Sequence, residues 1–358
     1  MLRFGLTTAF EGPRAVSEGV GADALVRPGG EVKRARTRTF AAAFIGGVLL
    51  CLSLLWSSLS RAQTSAAPLA PQKVILDTDI GDDIDDAFAL ALALRSPELQ
   101  ILGVTTTFGD TELRAKLASR LLSEAGRSDI PVVAGAPTKT SNVFTQRRYA
   151  EAGHLAKTSQ TNAVDFLLDQ IRRYPNEITL IGIGPLVNVG AAIDKDAATF
   201  RQLKRVVIMG GSVYRGYDDH VGYGPPVPPD PEWNIVNDIA SAQKLFASGV
   251  PLYVMPLDST QLKLDEVKRA FLFSQGTPLT DALTLLYHQW GHETPTMFDV
   301  MAVSYAVNPQ LCPVQPMHIR VDEKGFTRPE SGVPNAQVCL ESSSDQFFQL
   351  FLKRLAAR

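Results

Sequence analysis

Short apolar runs rich in β-branched residues recur along the chain at residues 74–76, 99–107, 131–134, 178–183, 206–209 and 251–255. Runs of this length that are apolar at successive positions suit strands covered on both faces. Longer segments with helical spacing of apolar positions lie between them, including 86–95, 111–125, 162–173 and 239–247. Strand and helix in alternation predict an α/β fold, an open, mostly parallel sheet with helices on both faces. In such a sheet the ligand crevice lies beyond the carboxyl ends of the strands. The conspicuous polar motifs fall at those ends: 77–86 after the first strand, 105–110 after the second, 182–188 after the fourth and 209–212 after the fifth. Segments distant in sequence are therefore expected to meet in one pocket. Residues 214–231, with Gly216, Gly222, Gly224 and five prolines, predict a long loop, either a lid over that pocket or a surface excursion.

The first 62 residues follow a different pattern. Lys33-Arg-Ala-Arg-Thr-Arg38 runs into the apolar stretch 40–56 and then into small and polar residues ending at Ser60-Arg-Ala62. That order is expected of an export signal cleaved near Ala62, giving a periplasmic or extracellular protein. The 17-residue apolar run also leaves an uncleaved membrane anchor as the alternative. Residues 63–72 read as a linker and 73–358 as one domain. Charge sharpens the division: of the chain's net −2, residues 1–62 carry +4 and the remainder −6. A body of that sign lacks the basic footprint of a nucleic-acid binder. Beyond the signal only Cys312 and Cys339 remain, as one disulfide or as two buried thiols. The histidines at 154, 220, 288, 292 and 318 show no zinc-ligand spacing, and only His288 and His292 are expected to share a helix face.

Chemistry concentrates in Asp77-Thr-Asp-Ile-Gly-Asp-Asp-Ile-Asp-Asp86, six carboxylates within ten residues between a strand and a helix. Unpaired, they repel one another, so either some are protonated or a cation neutralises them. An all-oxygen set suits Ca²⁺, with Mg²⁺ second. A helix dipole alone accounts for acids at 85 and 86 but not for Asp77 and Asp79, which precede the turn. An EF-hand is disfavoured because a strand precedes the loop and Gly81 is fifth rather than sixth. The Asp-x-Asp of an aspartyl phosphatase is disfavoured by Ile80-Gly81 after the second Asp.

The block Val74-Ile-Leu-Asp-Thr-Asp-Ile-Gly-Asp-Asp-Ile-Asp-Asp-Ala-Phe-Ala-Leu90 resembles the signature of the inosine-uridine preferring nucleoside hydrolase family, in a variant whose loop is two residues longer. Further similar blocks follow in the family's order: Gly103-Val-Thr-Thr-Thr-Phe-Gly-Asp110, Ile178-Thr-Leu-Ile-Gly-Ile-Gly-Pro-Leu-Val-Asn188, Val207-Ile-Met-Gly-Gly211, Glu232-Trp-Asn234, Pro256-Leu-Asp-Ser-Thr260 and Phe298-Asp299. The resemblance implies a Rossmann-like nucleoside hydrolase fold and hydrolysis of the N-glycosidic bond of ribonucleosides. It implies Asp79 as general base holding a Ca²⁺-bound water, with Asp86, Asp299 and the carbonyl of Ile183 completing the protein ligands. Asp85, Asp110, Glu232 and Asn234 are implied to bind the sugar hydroxyls, with Met209 packing against the sugar. Asp77 and Asp83 are expected to support the loop from behind. The longer loop leaves two registers, Asp82-Asp83 or Asp85-Asp86; the later pair is preferred because Ala87-Phe-Ala-Leu90 continues the helix. The expected partner is a small nucleoside, with further copies of the chain as an option.

Two positions depart from the family pattern. Asp110 stands where several members have Asn. Phe298 stands where members with a protonating group carry His, so either the base leaves unaided or help comes from elsewhere, with His292, expected on the preceding helix, and His220 or Tyr223 in the loop as candidates. Loss of that group also raises a different class of function, an exported nucleoside- or sugar-binding protein without turnover, and hydrolysis of another N-glycoside is a third reading.

Overall fold

The computed structural model describes residues 70–154, 162–218 and 227–357. The expected signal, most of the expected linker, and His220 and Tyr223 lie outside the described residues. Nine strands occur among them: β1 (Gln72–Thr78), β2 (Leu99–Thr106), β3 (Val132–Ala134), β4 (Thr179–Gly182), β5 (Arg205–Met209), β6 (Leu252–Met255), β7 (Val314–Val321), β8 (Thr327–Glu330) and β9 (Ala336–Cys339). The first six are the six apolar runs. β1 begins at Gln72, so the linker gives way to sheet one residue earlier than expected.

The strands form one sheet in the order β3-β2-β1-β4-β5-β6-β9-β7-β8. From β3 to β6 every pairing is parallel, as is β6 with β9. β7 runs antiparallel to both β9 and β8, closing that edge with a hairpin. Strand order reverses direction between β1 and β4, the switch point at which the connections leave to opposite sides and open a crevice. The acidic loop follows β1 and Ile183 follows β4, so the sequence's chemistry falls at that point.

Alternation along the strands feeds two cores. Val74, Leu76, Ile181, Val207 and Met255 pack with helices Asp85–Leu94, Thr111–Glu124, Pro278–Trp290, Phe298–Val307 and Ser344–Ala356. Ile75, Leu180, Ile208 and Val254 pack on the other face with helices Ala163–Arg173, Val187–Phe200 and Ile239–Ala247. Helices Asp85–Leu94 and Phe298–Val307 are buried almost all round. Each carries acid in its first turn, where the dipole favours negative charge. Near the hairpin edge Cys312 and Cys339 are disulfide-bonded. No helix of the described residues is long and apolar enough to cross a membrane.

Candidate active site

The acidic loop is fixed by bonds within the chain. Thr78, the last residue of β1, accepts the Ile80 N–H at 3.1 Å and donates its hydroxyl to Asp86 Oδ1 at 2.5 Å. Gly81 sits at φ 128°, and a Cβ there would lie 2.2 Å from the Phe144 ring, so this turn admits only glycine. Arg114, 1% exposed, donates to the carbonyls of Phe108, Asp79 and Ile80 and makes a two-pronged pair with Asp82 at 2.9 and 3.1 Å. Asn142 also donates to Asp82, at 3.1 Å, while Thr145 and Gln146 donate to the backbone carbonyls of Asp82 and Asp83. The sequence motifs did not single out Arg114. Its signal was a charged residue in line with buried Ala118 and Leu121 on an otherwise apolar helix face.

These bonds give the two candidate pairs of the longer loop different surroundings. Asp82 is engaged by Arg114 and Asn142, and Asp83 Oδ1 accepts its neighbour Ile84 N–H at 2.6 Å. Asp85 and Asp86, in contrast, face Asp299. The Asp299 N–H donates to Asp85 Oδ2 at 3.1 Å, and one carboxylate oxygen from each of Asp85, Asp86 and Asp299 lies within 4.8 Å of the others. The resemblance assigned Asp85 to sugar; its geometry places it beside the expected cation ligands.

Burial and mutual repulsion push the carboxyls of Asp85, Asp86 and Asp299 well above the ordinary carboxylate range. Asp79 is raised to about 7, by burial first, while Arg114 pulls the other way. Gly184 lets the chain after β4 pass close to it, since a Cβ there would stand 2.7 Å from Asp79 Oδ1. Behind the loop, Asp77 accepts from Thr105 Oγ1 at 2.6 Å and Asn188 Nδ2 at 2.7 Å. Its Oδ2 is buried without a hydrogen-bond partner among the described residues, and burial lifts its pKa to about 6. Several buried acids with so few cationic partners fit a hard divalent cation, which favours the charged form of each.

All of these acids but Asp77 line a cavity of about 430 Å³. Asp79, Asp83, Asp85, Asp86, Ile183, Met209, Glu232, Asn234 and Asp299 all line it. Glu232 is held by the N–H groups of Gly211, Asn234 and Ile235 at 2.9 to 3.2 Å, and burial raises its pKa to about 7. It therefore caps helix Trp233–Val236 and faces the cavity together. Asn234 donates to the Met209 carbonyl at 3.1 Å. Tyr217, Trp233, Trp290 and Phe298 supply an aromatic wall to the same cavity, with His292 among its lining residues. Tyr217 and Phe298 meet edge to face at 6.0 Å, and the Tyr217 hydroxyl accepts the Trp233 N–H at 3.0 Å.

Two expectations are corrected. Asp110 is exposed and does not line the cavity; its carboxylate accepts the Leu113 N–H at 3.0 Å and caps helix Thr111–Glu124. His292 is not helical: helix Pro278–Trp290 ends at Gly291, a left-handed cap at φ 81°, so His288 and His292 do not share a helix face.

Residues 74–349 match the inosine-uridine preferring nucleoside hydrolase family. The chain belongs to that family. Among relatives, it is 30% identical over 279 residues to uridine nucleosidase 1 of Arabidopsis thaliana, covering 71% of this chain and 80% of that one. It is also 30% identical over 319 residues to a pyrimidine-specific ribonucleoside hydrolase of Citrobacter koseri, covering 79% and 97%. An uncharacterised protein of Schizosaccharomyces pombe is 36% identical over 210 residues, where the match spans 55% of this chain and 64% of the relative. The fold superposes on a plant nucleoside hydrolase with a TM-score of 0.71 at 26% identity, covering 80% of this chain and all of that one. This nucleoside hydrolase accordingly acts on N-glycosyl bonds of nucleosides, and its family is metal-dependent.

Proposed function

We propose that the protein is an exported ribonucleoside hydrolase that uses Ca²⁺, with Mg²⁺ a weaker substitute, and releases ribose and free base. What carries this reading is the meeting of Asp79, Asp85, Asp86 and Asp299 on the floor of an aromatic-walled cavity. Asp86 and Asp299, flanked by Asp79 and Asp85 and with the carbonyl of Ile183 alongside, would hold the cation. A hard divalent cation supplies Lewis acidity and a fixed positive charge for oxygen donors.

The chain's own groups supply the rest. Cleavage develops positive charge on the sugar ring, which the buried carboxylates stabilise. Asp79, raised toward neutrality, takes the proton of the attacking water as general base. Asn234 and Glu232 orient the sugar, and Met209 covers one side of it. The aromatic wall contains the base and excludes water. Names of two relatives point to pyrimidine nucleosides, so uridine is the first substrate to offer. Export is supported by the signal-like pattern before Ala62, which lies outside the described residues, and by the Cys312–Cys339 bond, which suits an oxidising compartment.

The deciding experiment measures reducing sugar released from uridine and inosine by the mature protein. Asp79→Asn is expected to lower turnover ~100-fold or more with an unchanged circular-dichroism spectrum, and chelator to abolish it until Ca²⁺ is returned. Full turnover by the variant, or indifference to chelator, removes the assignment.

A further inference from the structure

Breaking the bond from C1′ to a base nitrogen leaves an electron pair on the base, and protonation of that base lowers the barrier. The acids that would hold the cation cannot serve, because cation ligands are ionised and have no proton to give. Among the aromatic lining residues, Phe298 has no proton to give. Tyr217 is a poor acid: its hydroxyl already accepts the Trp233 N–H, and burial with the nearby Glu232 pushes its pKa upward.

His292 is the imidazole that lines this cavity among the described residues. The left-handed cap at Gly291 turns the chain out of helix Pro278–Trp290 and lays the His292 ring against Trp290, with centroids 4.8 Å apart. The backbone beyond is fastened where Leu264 N–H meets the Pro295 carbonyl at 2.9 Å and Met297 N–H meets the Leu262 carbonyl at 2.8 Å. The ring thus lines the cavity from a short tethered segment. Asp83, which lines the same cavity, is near enough for its negative charge to interact with a positive charge on His292. The ring is solvent-exposed, so a spent proton is replaced from water.

We propose that His292, from a loop position seven residues before Asp299, is the general acid for the departing base. The proposal rests on the nucleoside hydrolase reading above. The C1′–N bond breaks with its electron pair passing to the base, and a water adds its hydroxyl to C1′ and gives its proton to Asp79. A nitrogen or oxygen of the base takes the proton of the His292 imidazolium. Asp79 then loses a proton to solvent and His292 regains one, so one water is consumed per nucleoside.

The test compares leaving groups in the mature Ca²⁺-loaded protein. Nitrophenolate leaves a riboside without protonation, whereas a nucleobase does not. With His292→Ala and His292→Gln, turnover of uridine and inosine is expected to fall ~100-fold while 4-nitrophenyl riboside falls less than ~3-fold. Tyr217→Phe should change the two substrate classes alike. Equal losses on both classes in the His292 variants, or unaltered nucleoside turnover, would overturn the role of His292 and leave the hydrolase reading standing. A parent protein that cleaves neither substrate overturns both.

Discussion

At the scale of single residues the site is a set of charges that the fold holds against their preference. Arg114 shows how: its guanidinium satisfies three backbone carbonyls and Asp82 in a place from which water is nearly excluded. Arg114→Met leaves Asp82 without its cation, and urea denaturation should report a loss of about 3–5 kcal/mol. Arg114→Lys is expected to recover only part of this, since a point charge cannot reach all four acceptors. Asp85→Asn acts in the opposite sense. Removing one charge from the group at Asp86 and Asp299 should raise the melting temperature of the cation-free protein by ~2 °C or more, while the upward shift on adding Ca²⁺ shrinks. A variant that loses stability without cation would contradict the repulsion described here.

At the scale of elements, legibility divides by how local the signal is. β1 to β6 and four helices were plain because each is a continuous apolar run or a helical stripe. β7 and β8 were not: Val314–Val321 and Thr327–Glu330 are mostly half-buried or exposed and contain Pro316 and Pro329, residues that argue against a central strand; Pro316 lies where β7 pairs with β9 alone, and Pro329 lies on the edge strand. The acidic loop was legible because carboxylates crowded into one turn repel one another unless protons or a cation neutralise them. The pairing of Asp85 with Asp299 was not, because only tertiary packing brings the two buried helices together. Asp110 erred the other way: it precedes a helix and caps it, a local role that the family pattern obscured. The disulfide belongs to this scale as well, since it closes a 27-residue span that includes the edge hairpin. Cys312→Ser with Cys339→Ser, or reduction of the parent, should lower stability by about 3 kcal/mol, read from the urea midpoint.

Across the whole molecule, pH and cation act on the same groups in opposite directions. The folded pKa of Asp77 is raised from 3.8 to about 6, that of Asp79 from 3.8 to about 7, and that of Glu232 from 4.5 to about 7. Between the unfolded and folded values the native state binds more protons than the unfolded chain, so stability falls as pH rises through that window. Cation-free protein should therefore melt at a higher temperature near pH 5 than near pH 7.5. Ca²⁺ should raise the melting temperature more at pH 7.5, because its ligands must be ionised. Scanning calorimetry at the two pH values, with and without Ca²⁺, checks both signs. The hydrogen bond between Asp299 and Asp85 spans 214 residues of sequence. A chain emerging from its N-terminus thus carries its acidic loop for most of its synthesis before the opposing carboxylate exists, and contacts of such separation form late. The proposed cation site would then act as a checkpoint on completed folding: a nascent or truncated chain ending before helix Phe298–Val307 lacks Asp299 and should gain less stability from the ion than the whole chain.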